Sequence, residues 1–252
     1  MIHADFRPKE ASESSLGFEP IAPSRAFEEI AAQIRELVAT GRLKPGDRLP
    51  AERDLSAKFK VSRNTLREAL RALELSGMIE LRKGASGGAF VLPGSSGVIV
   101  NGLRDLYHLG AIKPEHLTEA RVWLSDIVVR VACERLTEED LQALEENVAL
   151  AAKATKAGNF QERADLHREF HNLLAVATRN PIIQITMEGV MEVMREFVKA
   201  IGPSDNAYTL PSRRRLLKHL RARDADAAVA EMNKFLERLQ ANYMELWNSR
   251  KQ

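Results

Sequence analysis

The sequence predicts a mainly α-helical protein in two parts: an N-terminal unit of three helices and a β-hairpin, then an antiparallel bundle made of helices alone. Three observations carry that reading. Apolar residues recur at helical spacing along most of the chain. Two short β-prone runs, residues 78–83 and 89–92, flank Gly84-Ala85-Ser86-Gly87-Gly88. Directly after them Pro93-Gly94-Ser95-Ser96-Gly97 changes the composition and marks a boundary. With 252 residues, 44% of them hydrophobic and 6% aromatic, the chain can build one large core or two modest ones, and its wealth of Ala, Leu, Glu and Arg favours helices. The expected organisation is a leader over 1–23, a first domain over 24–92, a linker over 93–97 and a helical domain over 98–250.

Residues 1–23 show no sustained period and are rich in Ser, Glu and Pro, so a mobile leader is expected. Ser24 can cap a helix to residue 40 with Phe27, Ile30, Ile34 and Val38 inward and Gly41 at its end. Lys44-Pro45-Gly46-Asp47 is a turn. A short helix follows Leu49-Pro50-Ala51-Glu52-Arg53-Asp54-Leu55 and breaks at Phe59-Lys60-Val61. Ser62 then caps a helix whose Leu66, Ala69, Leu70 and Leu73 bury one face, and Gly77 closes it in a left-handed conformation. Asn64, Arg67 and Arg71 lie toward the other face, with Arg63 at its N-terminal end.

A short helix, a tight break and a second helix with a basic outer face make a helix-turn-helix, in which the second helix enters the DNA major groove. Arginine pairs with guanine edges, asparagine with adenine, and Ser or Thr with a base or a phosphate. The hairpin after it reads as a wing with a basic, glycine-rich tip that can reach the minor groove or the backbone. Charge agrees: residues 41–83 hold eleven Lys plus Arg against six Asp plus Glu, a local +5 in a chain of net +2.

Beyond the boundary, helices are expected over 98–107, 114–135 with Pro114 in the first turn, 138–156 behind a Thr137/Asp140 capping box, 160–179, 181–201 after Asn180, 211–222, and 225–247 after Asp224. Short loops between them imply an antiparallel bundle. Three of these helices place polar groups where the period predicts core. Arg121 follows the line of Leu117, Leu124, Val128 and Val131; Arg213 shares a face with Leu216, Leu217 and Leu220; His167 and His171 border Leu166, Phe170, Leu173 and Ala177. An unpaired buried cation is costly. The arginines therefore either reach the surface and pair with Asp or Glu there, or they and the histidines surround a bound anion.

Other classes fit less well. A single cysteine, Cys133, excludes an internal disulfide framework, no apolar run is long enough to span a membrane, and the N-terminus lacks a signal-peptide core, so a soluble cytoplasmic protein is expected. An enzyme built on His167 and His171 would need a partner carboxylate or nucleophile, and the nearby candidate, Asp165, falls off their face; no phosphate-cradling glycine loop is present.

Leu-Pro-Ala-Glu-Arg-x-Leu, Val-Ser-Arg-x-Thr-Leu-Arg-Glu-Ala-Leu, Leu-x-x-x-Gly and the glycine wing together resemble the winged helix-turn-helix of the GntR family of bacterial transcription regulators. By that resemblance Arg53, Arg63 and Arg67 contact bases or phosphates, Ser62, Asn64 and Thr65 lie beside them, and Gly84 carries the wing tip into the minor groove flanked by Lys83. The helical part is similar to the FCD effector domain of the FadR subfamily, through Phe170-His171 with Asn180-Pro181 and through Arg221-Ala222-Arg223-Asp224-Ala225-Asp226-Ala227-Ala228. Many FCD domains hold a divalent metal on one Asp and three His and bind a carboxylate effector on it. Here only His171 matches such a ligand; the other positions carry His167, Arg213 and Phe235, and the family's Arg-x-x-x-Glu element survives as Arg121 with Ser125.

The resemblance implies a ligand-controlled regulator, more often a repressor, acting as a homodimer on a palindromic operator of double-stranded DNA, since one helix reads too few bases to be specific. Arg121, His167, His171 and Arg213 are the expected effector site, for a small carboxylate, with no metal and no other cofactor because the set lacks ligands and adds positive charge. The alternatives are a metal-dependent carboxylate sensor using His167 and His171, a bundle serving dimerisation alone, or an enzyme.

Overall fold

The computed structural model describes residues 26–84, 86–94, 96–202 and 207–250. The expected leader, its neighbour Ser24 and most of the 202–206 loop lie outside them. The chain divides into two units, Met1–Gly94 and Ser95–Gln252, each with its own core.

The first unit contains α1 (Ala26–Ala39), α2 (Glu52–Phe59), α3 (Arg63–Leu75), β1 (Ile79–Arg82) and β2 (Gly88–Val91). α3 is fixed at both ends by its own sequence. The Ser62 hydroxyl accepts the Thr65 amide at 3.1 Å, and Gly77 takes φ +68° just past the end. Between those points Leu66, Ala69, Leu70 and Leu73 are buried against Ile30, Ala31 and Ile34 of α1. Lys60 makes the break before it with φ +53°, a left-handed turn in which its amide is retained by Ala57. β1 and β2 pair antiparallel in the register Ile79↔Val91 to Arg82↔Gly88. Leu49 adds a further rung by donating its amide to Ala89 at 2.8 Å, so the segment before α2 is stitched to the wing.

The second unit is helical throughout its described elements: α4 (Gly97–His108), α5 (Pro114–Arg135), α6 (Glu138–Lys156), α7 (Phe160–Ala177), α8 (Pro181–Ile201), α9 (Thr209–Arg221) and α10 (Ala225–Ser249). Side chains start them where the sequence indicates. The Thr137/Asp140 capping box forms in both directions, Asn180 accepts the amides of Ile182 and Ile183, and Asp224 accepts that of Ala227. α5 packs on α7, α8 and α10, α6 on α7 and α9, and α4 on α8. At that last contact Leu103 lies over Gly189, where a Cβ would stand 2.6 Å from its Cδ1. No helix among the described residues is long and apolar enough to cross a membrane.

Three expectations shift in detail. The buried line of α5 runs through Leu117, Arg121, Ser125 and Val128, with Leu124 and Val131 only half-buried, because α7, α8 and α10 all pack on this helix and cover more than one stripe of it. On α7 the core takes Phe170, His171 and Leu174 and leaves Leu166 and Leu173 half-buried, so His171 lies in the core and not at its border. α9 begins at Thr209, two residues before Pro211, which is tolerated because first-turn amides have no helical acceptor in any case.

Candidate nucleic-acid interface and effector cavity

On α3 the outward residues are Arg63, Asn64 and Arg67, with Thr65 half-buried behind Ser62. The Ser62 and Thr65 hydroxyls share a hydrogen bond of 2.9 Å in addition to the amide contact, so both first serve the start of the helix. Arg53 is exposed on α2 beside Asp54 at 3.4 Å, and Arg67 reaches Glu52 only at 4.0 Å. Such exposed pairs hold by at most ~1 kcal/mol. Both guanidiniums can therefore turn to a phosphate or a base edge. Lys83 and Gly84 are exposed at the wing, where Gly84 adopts φ +101°, a conformation closed to most side chains.

The structure adds residues that the sequence reading passed over. Arg82 lies over the Phe90 ring at 4.4 Å and Arg48 over the same ring at 5.8 Å, while Arg48 also donates to the Gly87 carbonyl. Arg67, Arg71, Arg82 and Lys83 line one groove between α3 and the wing, with Glu52 and Glu74 at its edges. Glu74 accepts the Leu81 amide at 3.0 Å, tying the wing to the end of α3. Alternation along β1 puts Arg82 outward, a signal present in the sequence; the shared aromatic platform links β2 to Arg48 across chain-distant positions and carried none.

In the second unit α5, α7, α8, α9 and α10 enclose a cavity of about 260 Å³. Arg121 and Arg213 enter it from α5 and α9 and are only 6% and 3% exposed. Arg121 Nη2 is 3.0 Å from Nε2 of His171. A guanidinium only donates, so Nε2 accepts, the ring proton lies on Nδ1 and the imidazole is neutral. Burial, then the charges of Arg121 and Arg213, hold the His171 pKa well below the ordinary value. His167 is likewise neutral: burial first, then Arg213, Arg163 and Arg121, push it down to about 2. Arg213 stacks on Phe170 at 3.6 Å and donates through Nη2 to the His167 carbonyl at 3.2 Å. Its Nε and Nη1, and Nε of Arg121, meet no acceptor among the described residues. Burial lowers the pKa of both arginines, far more for Arg213.

Arg121, His167 and Arg213 thus line one cavity, and His171 stands behind it in contact with Arg121. The cavity lining holds five arginines and Lys199 but no Asp or Glu. Surface pairing does occur at the rim, where Arg168 meets Asp165 and Glu192 and Arg195 meets Glu192 and Glu196. It does not reach Arg121 or Arg213. Sequence reasoning missed the α8 wall, Met191, Met194 and Val198, whose spacing of three and four was visible, and Thr209, hidden because α9 was expected to start later.

A divalent ion does not fit these donors. Two imidazoles are available, the Nε2 lone pair of one is already taken by a guanidinium, and the remaining positions are Arg213 and Phe235. Among the described residues no cluster of three or more His, Cys, Asp or Glu could hold a metal.

A winged helix-turn-helix joined to a helical domain with a buried cationic cavity defines the class of ligand-responsive transcription regulators. The profile described as "Bacterial regulatory proteins, gntR family" matches residues 26–91, and the FCD domain profile matches residues 116–238. The chain is 31% identical over 164 residues to the HTH-type transcriptional regulator LutR of Bacillus subtilis, covering 64% of this chain and 73% of that protein. It is 25% identical over 256 residues to the HTH-type transcriptional repressor NanR of Klebsiella aerogenes, covering 99% and 97%. It is 32% identical over 161 residues to the Uxu operon transcriptional regulator of Escherichia coli, an alignment spanning 63% of this chain and 61% of that protein. A solved structure of a Streptococcus agalactiae GntR shares the fold, with TM-score 0.67 and 23% identity over 85% of this chain and 99% of that one. The protein belongs to the GntR family and carries an FCD effector domain.

Proposed function

We propose that the protein binds a palindromic operator as a homodimer, most naturally as a repressor, and that a small carboxylate in the helical cavity sets its affinity for DNA. The observation that carries the effector half is the pair of buried guanidiniums without a carboxylate partner among the described residues. An anion entering between them satisfies donors that otherwise lie desolvated. The DNA half rests on the exposed Arg63, Asn64 and Arg67 of α3, with Arg53, Lys83 and Gly84 supporting and Ser62 and Thr65 holding the helix start. The effector acts by binding one arrangement of the reading heads better than the other.

The test is DNA binding by the full chain, measured by anisotropy against salt with a duplex selected from a random pool. Wild type should show a steep loss of affinity with salt. Arg67→Ala should lose about 1–3 kcal/mol and relax the preference at one base position. Binding equal to wild type in both respects removes α3 from the reading role.

A further inference from the structure

Building on the reading of the cavity as an effector site, we propose that its ligand is a dianion with a hydrocarbon body, a short dicarboxylate or an alkyl phosphate, held directly by Arg121 and Arg213. Charge balance sets the valence. The rim cations Arg168 and Arg195 are matched by Asp165, Glu192 and Glu196, whereas Arg121 and Arg213 meet no carboxylate among the described residues. Of the other lining cations Lys199 is exposed and Arg163 half-buried, so the fully buried excess is two positive charges. A single carboxylate answers one and leaves the other desolvated, which is costly.

Both arginines are already positioned. Arg121 is anchored on His171 at 3.0 Å and Arg213 on the Phe170 ring at 3.6 Å and on the His167 carbonyl. Each buries N–H groups that meet no acceptor among the described residues, Nε on Arg121 and both Nε and Nη1 on Arg213. The binding groups come preformed, so little ordering is needed when the anion arrives. The cavity of about 260 Å³ equals roughly nine water volumes of about 30 Å³ each, a size suited to a ligand of about ten non-hydrogen atoms. Met191, Met194, Val198, Phe235 and Leu239 form the wall from α8 and α10 and suit a hydrocarbon spacer better than a chain of hydroxyls.

Calorimetry on the full-length protein, dialysed against EDTA, tests this with chain-matched probes: succinate, glutarate and adipate against butyrate, pentanoate and hexanoate, plus butyl phosphate. At least one dianion should bind about 30-fold or more tighter than its monoanion counterpart. In Arg213→Met the ratio should collapse to about threefold or less, because one buried charge remains. Arg121→Met should do the same, so a failure of one variant to fold leaves the other to decide. Binding of butyl phosphate alone upholds the dianion and selects the phosphate source. Monoanions binding as tightly as their partners overturn the dianion and leave anion sensing intact. Absence of binding by every probe overturns both, and a requirement for added zinc or nickel overturns direct contact.

Discussion

Arg213 brings opposing energies into one side chain. Its stacking on Phe170 and its bond to the His167 carbonyl favour the buried position, the stacking by about 2 kcal/mol. Removing a cation from water without a counter-ion costs several kcal/mol, so desolvation outweighs stacking when no anion is bound. Arg213→Met should therefore raise the melting temperature of ligand-free protein, by about 3 °C for a gain of ~1 kcal/mol. Differential scanning calorimetry checks it, and a lowered transition would show that the arginine is already compensated. His167 gives a pH prediction. Its folded pKa is about 2, whereas the unfolded chain titrates near 6.5. Below that value the unfolded state takes up a proton that the folded state refuses. Its contribution is complete above about pH 7 and is lost as pH falls through 6.5, by about 1.4 kcal/mol per pH unit. Urea melts from pH 7 to 4.5 should show a shallower dependence in His167→Gln than in wild type; parallel curves would mean the ring takes up its proton as readily folded as unfolded.

Among the elements, the wing is the most tightly specified. A Cβ at Gly87 would stand 2.4 Å from the Arg82 carbonyl oxygen and 2.8 Å from that of Gly84. Both are backbone atoms, so the hairpin itself has to yield, at about 1–3 kcal/mol. Gly87→Ala should weaken DNA binding by about tenfold with little change in the melting of the second unit; an unchanged affinity would detach the wing from recognition. The element boundaries were legible because caps write them in single residues: Ser62, Thr137, Asn180 and Asp224 all accept the amides expected of them. α5 was less so. Its apolar residues are spread around the helix because α7, α8 and α10 all pack on it, so no single stripe marks the inside.

At the scale of the whole molecule, the sequence pattern showed where helices and hairpin lie, and the division at Gly94 follows a stretch whose composition changes there. It placed Arg121 and Arg213 on inward faces and His167 and His171 at the border of one, because a polar residue in or beside an apolar period is conspicuous. It could not show which of them touch. The pairing of Arg121 with His171 spans fifty positions, and the groove shared by α3 and the wing depends on how the hairpin folds back. The contact of Leu103 with Gly189 has its own consequence. α8 turns Met191, Met194 and Val198 toward the cavity and offers the glycine notch to α4 on another side. A side chain seated in a notch follows its partner because the packed surface has little slack to absorb a displacement. A ligand that displaced α8 from within should thus displace α4 with it, and α4 is the piece of this unit from which the chain runs back to its DNA-reading half.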